Sequence, residues 1–176
     1  MIIGLSGYAR SGKDTVAGML IGLHRYERVA FADKIREFLI QIDPLVPHNE
    51  MTFRLEDIVE SKGWEAAKTE FPEVRRLLQD LGLGARDLFG EDFWVQQALK
   101  NVNRGDRIVI TDVRFQNEAE EITKRDGQIW RINRPTVSAA NTHVSETDMD
   151  NWDFDAVITN DSDMANLSNQ IRALLG

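Results

Sequence analysis

Apolar residues in this chain fall into short continuous runs, and between the runs they recur every three or four positions. Ile2-Ile3-Gly4-Leu5-Ser6 reads as a buried strand that opens into a glycine-rich turn. Val16, Met19, Leu20 and Leu23 then share one face of a helix over about 14–23. Arg28-Val29-Ala30-Phe31 predicts a second strand. Ile35, Phe38, Leu39 and Ile42 mark the helix behind it, with Asp33 in an N-cap position and Pro44 and Pro47 as the stop. From about 51 to 102 the pattern predicts an almost wholly helical stretch. Leu55, Ile58 and Val59 mark one helix there; Pro72 leads another through Val74, Leu77, Leu78 and Leu81 to a stop at Gly82; a third covers about 92–102, closed by Gly105. Arg107-Ile108-Val109-Ile110-Thr111 is the next strand, ending at Asp112, and a helix over about 118–125 stops at Gly127. Ile129-Trp130-Arg131-Ile132 and Ala156-Val157-Ile158-Thr159 are two further strands, and Met164, Leu167, Ile171 and Leu174 mark a closing helix.

Strands alternating with helices imply a parallel sheet covered on both faces. The expected fold class is therefore α/β, a three-layer sandwich on a five-stranded parallel sheet. A chain of 176 residues holds one such domain. Its core is expected at 1–43 and 104–176, with a helical insert at about 44–103. The stretch 134–151 has little periodicity and reads as a loop or lid.

Composition narrows the partners. Hydrophobic residues are 42% and charged residues 28%, the balance of an ordinary globular protein. Cysteine is absent, which excludes disulfides and thiolate metal sites. No window approaches the roughly 18 apolar residues of a membrane span, and the run at Met1 to Leu5 is too short for a signal sequence, so the expectation is a cytoplasmic protein without a membrane partner. The formal charge of −8 repels nucleic-acid polymers, so any phosphate must be held locally, by small-molecule chemistry.

That local chemistry is written in Gly7-Tyr8-Ala9-Arg10-Ser11-Gly12-Lys13, which matches G-x-x-x-x-G-K between a predicted strand and a predicted helix. The glycines let the backbone turn its N–H groups inward around an anion, the helix start adds partial positive charge, and Lys13 supplies a full one. Gly7, Ala9, Arg10, Ser11, Gly12, Lys13, Asp14 and Thr15 are thus the candidate ATP contacts. Asp14 stands where a magnesium-binding hydroxyl is usual in this motif; a carboxylate there can still hold Mg²⁺, directly or through water. The plain alternative is a turn that only joins strand to helix.

Such a loop serves ATPases, GTPases and small-molecule kinases alike. The guanine-reading Asn-Lys-x-Asp string does not occur after it, and an acidic chain of this length disfavours a nucleic-acid motor. A kinase needs several positive groups around the transferring phosphoryl, and Arg10, Arg36, Arg86, Arg114, Arg131 and Arg134 fall at strand ends and helix starts, where ligands bind in open α/β sheets. Each alone reads as a solvated surface arginine.

Ser11-Gly12-Lys13-Asp14-Thr15-Val16-Ala17, Phe31-Ala32-Asp33-Lys34-Ile35-Arg36, Leu88-Phe89-Gly90-Glu91-Asp92-Phe93-Trp94, Thr111-Asp112-Val113-Arg114-Phe115-Gln116-Asn117-Glu118-Ala119, and His143 with Ser145-Glu146 together resemble the phage-type deoxynucleoside monophosphate kinases, over essentially the whole chain. The resemblance implies a P-loop nucleoside monophosphate kinase fold, with a helical acceptor-binding insert and a lid. It further implies ATP and Mg²⁺ as donor, a deoxynucleoside monophosphate as acceptor, and a homodimer in some members. A phage-encoded protein of this kind acts in the host cytoplasm.

Within that frame Lys13, Asp33, Arg131 and Arg134 are the catalytic candidates, the two arginines neutralising the transferring group as a lid closes. Asp33 contacts the acceptor or orients water and metal, or is only an N-cap. Asp33, Arg36, Arg86, Trp94, Asp112 and Arg114 are the candidate acceptor contacts, with Arg36 and Arg86 suited to grip a phosphate bidentately, and Asp14 and Asp112 the candidate metal ligands. Of Phe93 and Trp94, one stacks on a base and the other is core. His143 and Glu146 organise the lid, and Asn160 with Asp161 borders the adenine or forms a plain turn. Two rivals stay open: a kinase for another phosphorylated metabolite such as dephospho-coenzyme A, and a regulator that holds ATP without transferring it.

Overall fold

A computed structural model describes residues 1–138 and 147–176. They cluster into two compact units, residues 1–30 with 99–176 and residues 31–98.

The first unit is built on β1 (Ile2–Ser6), β2 (Glu27–Val29), β5 (Ile108–Ile110), β6 (Gln128–Asn133) and β7 (Ala156–Thr159), in the spatial order β2-β5-β1-β6-β7. Every pairing is parallel, with Ile2 opposite Ile108 and Ser6 opposite Arg131 on either side of β1. A central parallel strand is covered on both faces, which is why β1 carries no polar side chain before Ser6 and is buried at all of its five positions. Its residues still alternate in what they touch. Ile3 and Leu5 join Trp130, Ile132 and Ile158 in a core closed by Val16 and Leu20 of α1 (Lys13–His24) and by Leu167 and Ile171 of α7 (Met164–Leu175). Gly4 faces the other way, onto α6 (Gln116–Lys124), and a β-carbon there would lie 2.9 Å from side-chain carbons of Ile122, Ile129 and Val113.

The second unit holds α2 (Phe31–Ile42), a two-stranded hairpin of β3 (Leu45–His48) and β4 (Met51–Arg54), α3 (Leu55–Glu70), α4 (Pro72–Phe89) and most of α5 (Phe93–Leu99). Leu39, Val46, Leu55, Ile58, Ala67, Phe71 and Val74 form its core.

Three expectations are corrected in this second unit. The stretch from 51 is not wholly helical, because Met51–Arg54 pairs antiparallel with Leu45–His48. The chain reverses through Asn49 and Glu50, both at positive φ, 47° and 64°, the backbone that a tight hairpin turn demands. Gly82 does not stop a helix: α4 continues to Phe89 and ends at Gly90, with φ 101°, while the Gly82 carbonyl accepts the indole N–H of Trp94 over 2.9 Å. Asp33 is not an N-cap, since α2 begins at Phe31 and places Asp33 inside its first turn. α3 also carries a break at Gly63, where φ is 76° and ψ 162°.

Gly4→Ala is expected to lower stability by about 1–3 kcal/mol, because three packed side chains would have to move at once. A fall in the denaturation midpoint with an unchanged slope checks this; no shift would mean that α6 packs more loosely on the sheet than these distances require.

Candidate active site

The turn between β1 and α1 gathers at the C-terminal edge of the sheet. Gly7 (φ 145°), Arg10 (φ 65°) and Gly12 (φ 105°) adopt the left-handed backbone that curls it, and two of those positions have no space for a side chain. A β-carbon on Gly7 would stand 2.5 Å from the Ile132 carbonyl oxygen, and one on Gly12 would stand 2.3 Å from Nδ2 of Asn160. The turn is closed by Ser11 N–H donating to the Tyr8 carbonyl over 3.1 Å. From outside, Asn160 Nδ2 donates to the Ser11 carbonyl over 2.8 Å, and Asn160 N donates to the Asn133 carbonyl over 2.7 Å, so the ends of β6 and β7 brace the loop.

α1 begins at Gly12 without a side-chain cap, and Asp14 lies in its first turn, exposed, with Thr15 half-buried behind it. Lys13 Nζ folds back to donate to the carbonyls of Gly7, over 2.6 Å, and Tyr8, over 2.9 Å. Its ammonium therefore lies across the loop. Ser11 is buried, and its hydroxyl has no hydrogen-bond partner among the described residues. An orphaned buried hydroxyl, glycines that exclude a β-carbon, an uncapped helix start and an ammonium at the same turn fit the polyphosphate tail of ATP. Ala9 and Arg10 are exposed on the rim.

Facing the loop are two arginines. Arg131 lies on β6 opposite Ser6, and Arg114 follows β5, whose exit is tied to β1 by Val113 N–H donating to the Leu5 carbonyl over 3.2 Å. Gly7, Ala9, Val113, Arg114, Arg131 and Met149 surround a cavity of about 20 Å³, the room of a single water. Buried Glu118 fixes the Arg114 segment by accepting the backbone N–H groups of Arg114, over 2.7 Å, and Phe115, over 3.0 Å. Asp112, at the end of β5, is half-buried at the same sheet edge. Asp14 and Asp112 offer carboxylate oxygens of the kind Mg²⁺ takes, one or two at a time, with phosphate oxygens and water in its remaining positions.

Arg131 is held on several sides. Asp150 Oδ1 accepts from Arg131 Nη2 and from the Tyr8 hydroxyl, each over 2.9 Å. The guanidinium also stands over the Tyr8 ring at 4.6 Å and the Phe154 ring at 5.5 Å. Burial, and then the carboxylate of Asp150, push the Tyr8 phenol above its ordinary range, so it stays a neutral donor at physiological pH. Arg134 is exposed beyond the end of β6.

The remaining candidates lie in the second unit. Arg36 donates to Asp33 over 3.3 Å, approaches Glu65 at 3.5 Å, and stands 5.8 Å over the Trp64 ring. Arg86 is half-buried near the end of α4. Trp94 is 7% exposed and committed to the Gly82 carbonyl, whereas Phe89, 5.1 Å from Phe93 between ring centres, is 68% exposed. His143, Ser145 and Glu146, with the middle of the expected lid, lie outside the described residues. Sequence reasoning passed over Tyr8 as a contact, Asp150 altogether, and Asn160 as a brace. A ring inside the motif was a usable signal for Tyr8; for Asp150 the chain offers none.

Comparison with known proteins agrees with this geometry. A model of the deoxynucleotide monophosphate kinase family matches residues 44–171. A protein of Acanthamoeba polyphaga mimivirus, provisionally named a deoxynucleotide monophosphate kinase, is 28% identical over 184 residues, covering 97% of this chain and 94% of its own. Among solved structures, shikimate kinase from Aquifex aeolicus vf5 superposes with a TM-score of 0.51 at 13% identity, covering 99% of this chain and 96% of that one. Dephospho-CoA kinase from Campylobacter jejuni gives 0.49 at 13%, covering 99% and 94%. The fold is that of the P-loop kinases. With a family model spanning well over half of its residues and a viral relative aligned along nearly all of it, the chain belongs to the deoxynucleotide monophosphate kinase family.

Proposed function

We propose that this enzyme moves the γ-phosphoryl group of ATP directly onto the phosphate of a deoxynucleoside monophosphate, giving the diphosphate and ADP. Membership of the deoxynucleotide monophosphate kinase family carries the reading, and the braced loop after β1 supplies its chemistry. An acceptor phosphate oxygen attacks the γ-phosphorus in line as the bond to the bridging β–γ oxygen breaks, and charge spreads over the three equatorial oxygens. Catalysis then consists of positioning and of charge placed in advance.

The loop amides of residues 7–15 orient the β- and γ-phosphates, and Lys13 leaves the Gly7 and Tyr8 carbonyls to follow the transferring group. Arg131 and Arg114 meet the same phosphoryl from the far side of the cavity, and Arg134 joins them from the end of β6. Asp14 and Asp112 would hold Mg²⁺, which would supply positive charge to offset that of the phosphates. On the acceptor side, Arg36 and Arg86 grip the monophosphate, Asp33 orients Arg36, and half-buried Phe93, packed edge-on against buried Trp94, recognises the base. The resemblance adds assembly as a homodimer and a cytoplasmic setting. No helix among the described residues is long and apolar enough to cross a membrane.

Three outcomes test this reading. Lys13→Ala is expected to lower kcat about 10²–10³-fold while the circular dichroism spectrum stays that of the parent, the scale of losing one preorganised charge at the transition state. Gly12→Ala forces a side chain into a 2.3 Å contact at φ 105°, and calorimetry is expected to show ATP affinity at least about tenfold weaker. A turnover panel of deoxynucleotides, ribonucleotides and dephospho-coenzyme A, with and without EDTA, is expected to give magnesium-dependent ADP release with deoxynucleoside monophosphates. Turnover only with dephospho-coenzyme A would overturn the acceptor assignment, and ATP binding without turnover on any acceptor would favour a regulator.

A further inference from the structure

We infer that Asp150 is a positioning residue: through its carboxylate and the Tyr8 ring it sets the direction in which Arg131 presents its charge to the cavity behind the loop. The Cα of Arg131 is already fixed, because β6 is locked in register on β1 with Ser6 opposite Arg131. What remains adjustable is a long side chain that loses much rotamer freedom when it is ordered. That side chain is only 15% exposed, and its order comes from the contacts around its tip. One oxygen of Asp150 receives both Arg131 Nη2 and the Tyr8 hydroxyl at 2.9 Å, while the Tyr8 ring, 4.6 Å from the guanidinium, supports it from the loop itself.

Asp150 can act as a reference point because its own segment is anchored. Asp148 Oδ2 accepts the backbone N–H of Gln116 over 2.8 Å, the Asp148 carbonyl accepts Gln116 Nε2 over 2.8 Å, and Asp150 N–H donates to the Thr147 carbonyl over 3.0 Å. The carboxylate is thereby tied to the start of α6, the helix whose first turn also sets the Arg114 backbone through Glu118. A guanidinium has five N–H donors, so a bond at Nη2 leaves others for an incoming phosphoryl oxygen. The raised phenol of Tyr8 keeps its proton on the Asp150 side across the working pH range.

The inference rests on Arg131 serving phosphoryl transfer, and the experiment separates the two. Full-length Asp150→Asn and Asp150→Glu are made in the parent and in an Arg131→Ala background, with ATP, MgCl₂ and a deoxynucleoside monophosphate as reactants. Asp150→Asn is expected to lower kcat about tenfold, equivalent to about 1.4 kcal/mol, with the calorimetric Kd for ATP within about threefold of the parent. Asp150→Glu should recover most of that loss. In the Arg131→Ala background Asp150→Asn should change kcat less than about twofold, since a guide without its arginine has nothing to direct. Losses that multiply in the double variant, or a rise in kcat, would overturn the inference. Independently of turnover, the side-chain Nη2–H resonance of Arg131 in the ATP-free protein should exchange slowly in the parent and in Asp150→Glu, and rapidly in Asp150→Asn. An unchanged resonance in Asp150→Asn would overturn it too. A parent that binds ATP without transferring phosphate would instead sink the proposed activity, with the resonance still deciding what Asp150 does.

Discussion

Two positions in the turn after β1 exclude a β-carbon, and most of what this protein can do follows from that exclusion. Gly7 runs against the Ile132 carbonyl of β6, and Gly12 against the Asn160 amide at the end of β7. The loop is thus pressed into its curl by strands that are its neighbours in space and not in sequence. A phosphate cradle made of backbone cannot adapt by rotating side chains, so its shape is only as exact as the sheet that supports it. The parallel order β2-β5-β1-β6-β7 places every strand's C-terminal end on one edge, where Asn160, Arg131 and the exit of β5 meet the turn.

The central strands of the first unit were legible because strands buried on both faces leave unbroken apolar runs, as at Ile108–Ile110, whereas the edge strand β2 is Glu-Arg-Val with two exposed residues and ends at Val29, so that Phe31, expected in it, starts α2. The hairpin of the second unit was not. Leu45 and Met51 are exposed, Pro47 suggests a break, and the turn at Asn49 and Glu50 reaches positive φ without the glycine that usually announces it. Gly82 misled for the opposite reason: α4 tolerates it in its interior, at a spot where its carbonyl serves the Trp94 indole.

Within the site, legibility followed sequence distance. The loop residues are contiguous, and their glycines, lysine and flanking elements state their chemistry directly. The residues that hold the loop and Arg131 do not: Asn160 lies 149 positions from Ser11, and Asp150 lies 142 from Tyr8. An acidic residue in an aperiodic stretch carries no mark of the arginine it will meet. Asp33 and Arg36 were visible as a pair on one helix, and the structure adds Glu65 and Trp64 as the company Arg36 keeps.

The strand order also bears on how the chain comes to be folded as the ribosome makes it. β1 is translated well before the strands that flank it in its sheet, which begin at Ile108 and Gln128. Its backbone N–H and C=O groups stay unpaired until residues 108–133 have emerged, while residues 31–98, whose partners are close in sequence, can condense before. A nascent protein in that condition carries an unpaired hydrophobic strand, the kind of segment that holding chaperones exist to shield.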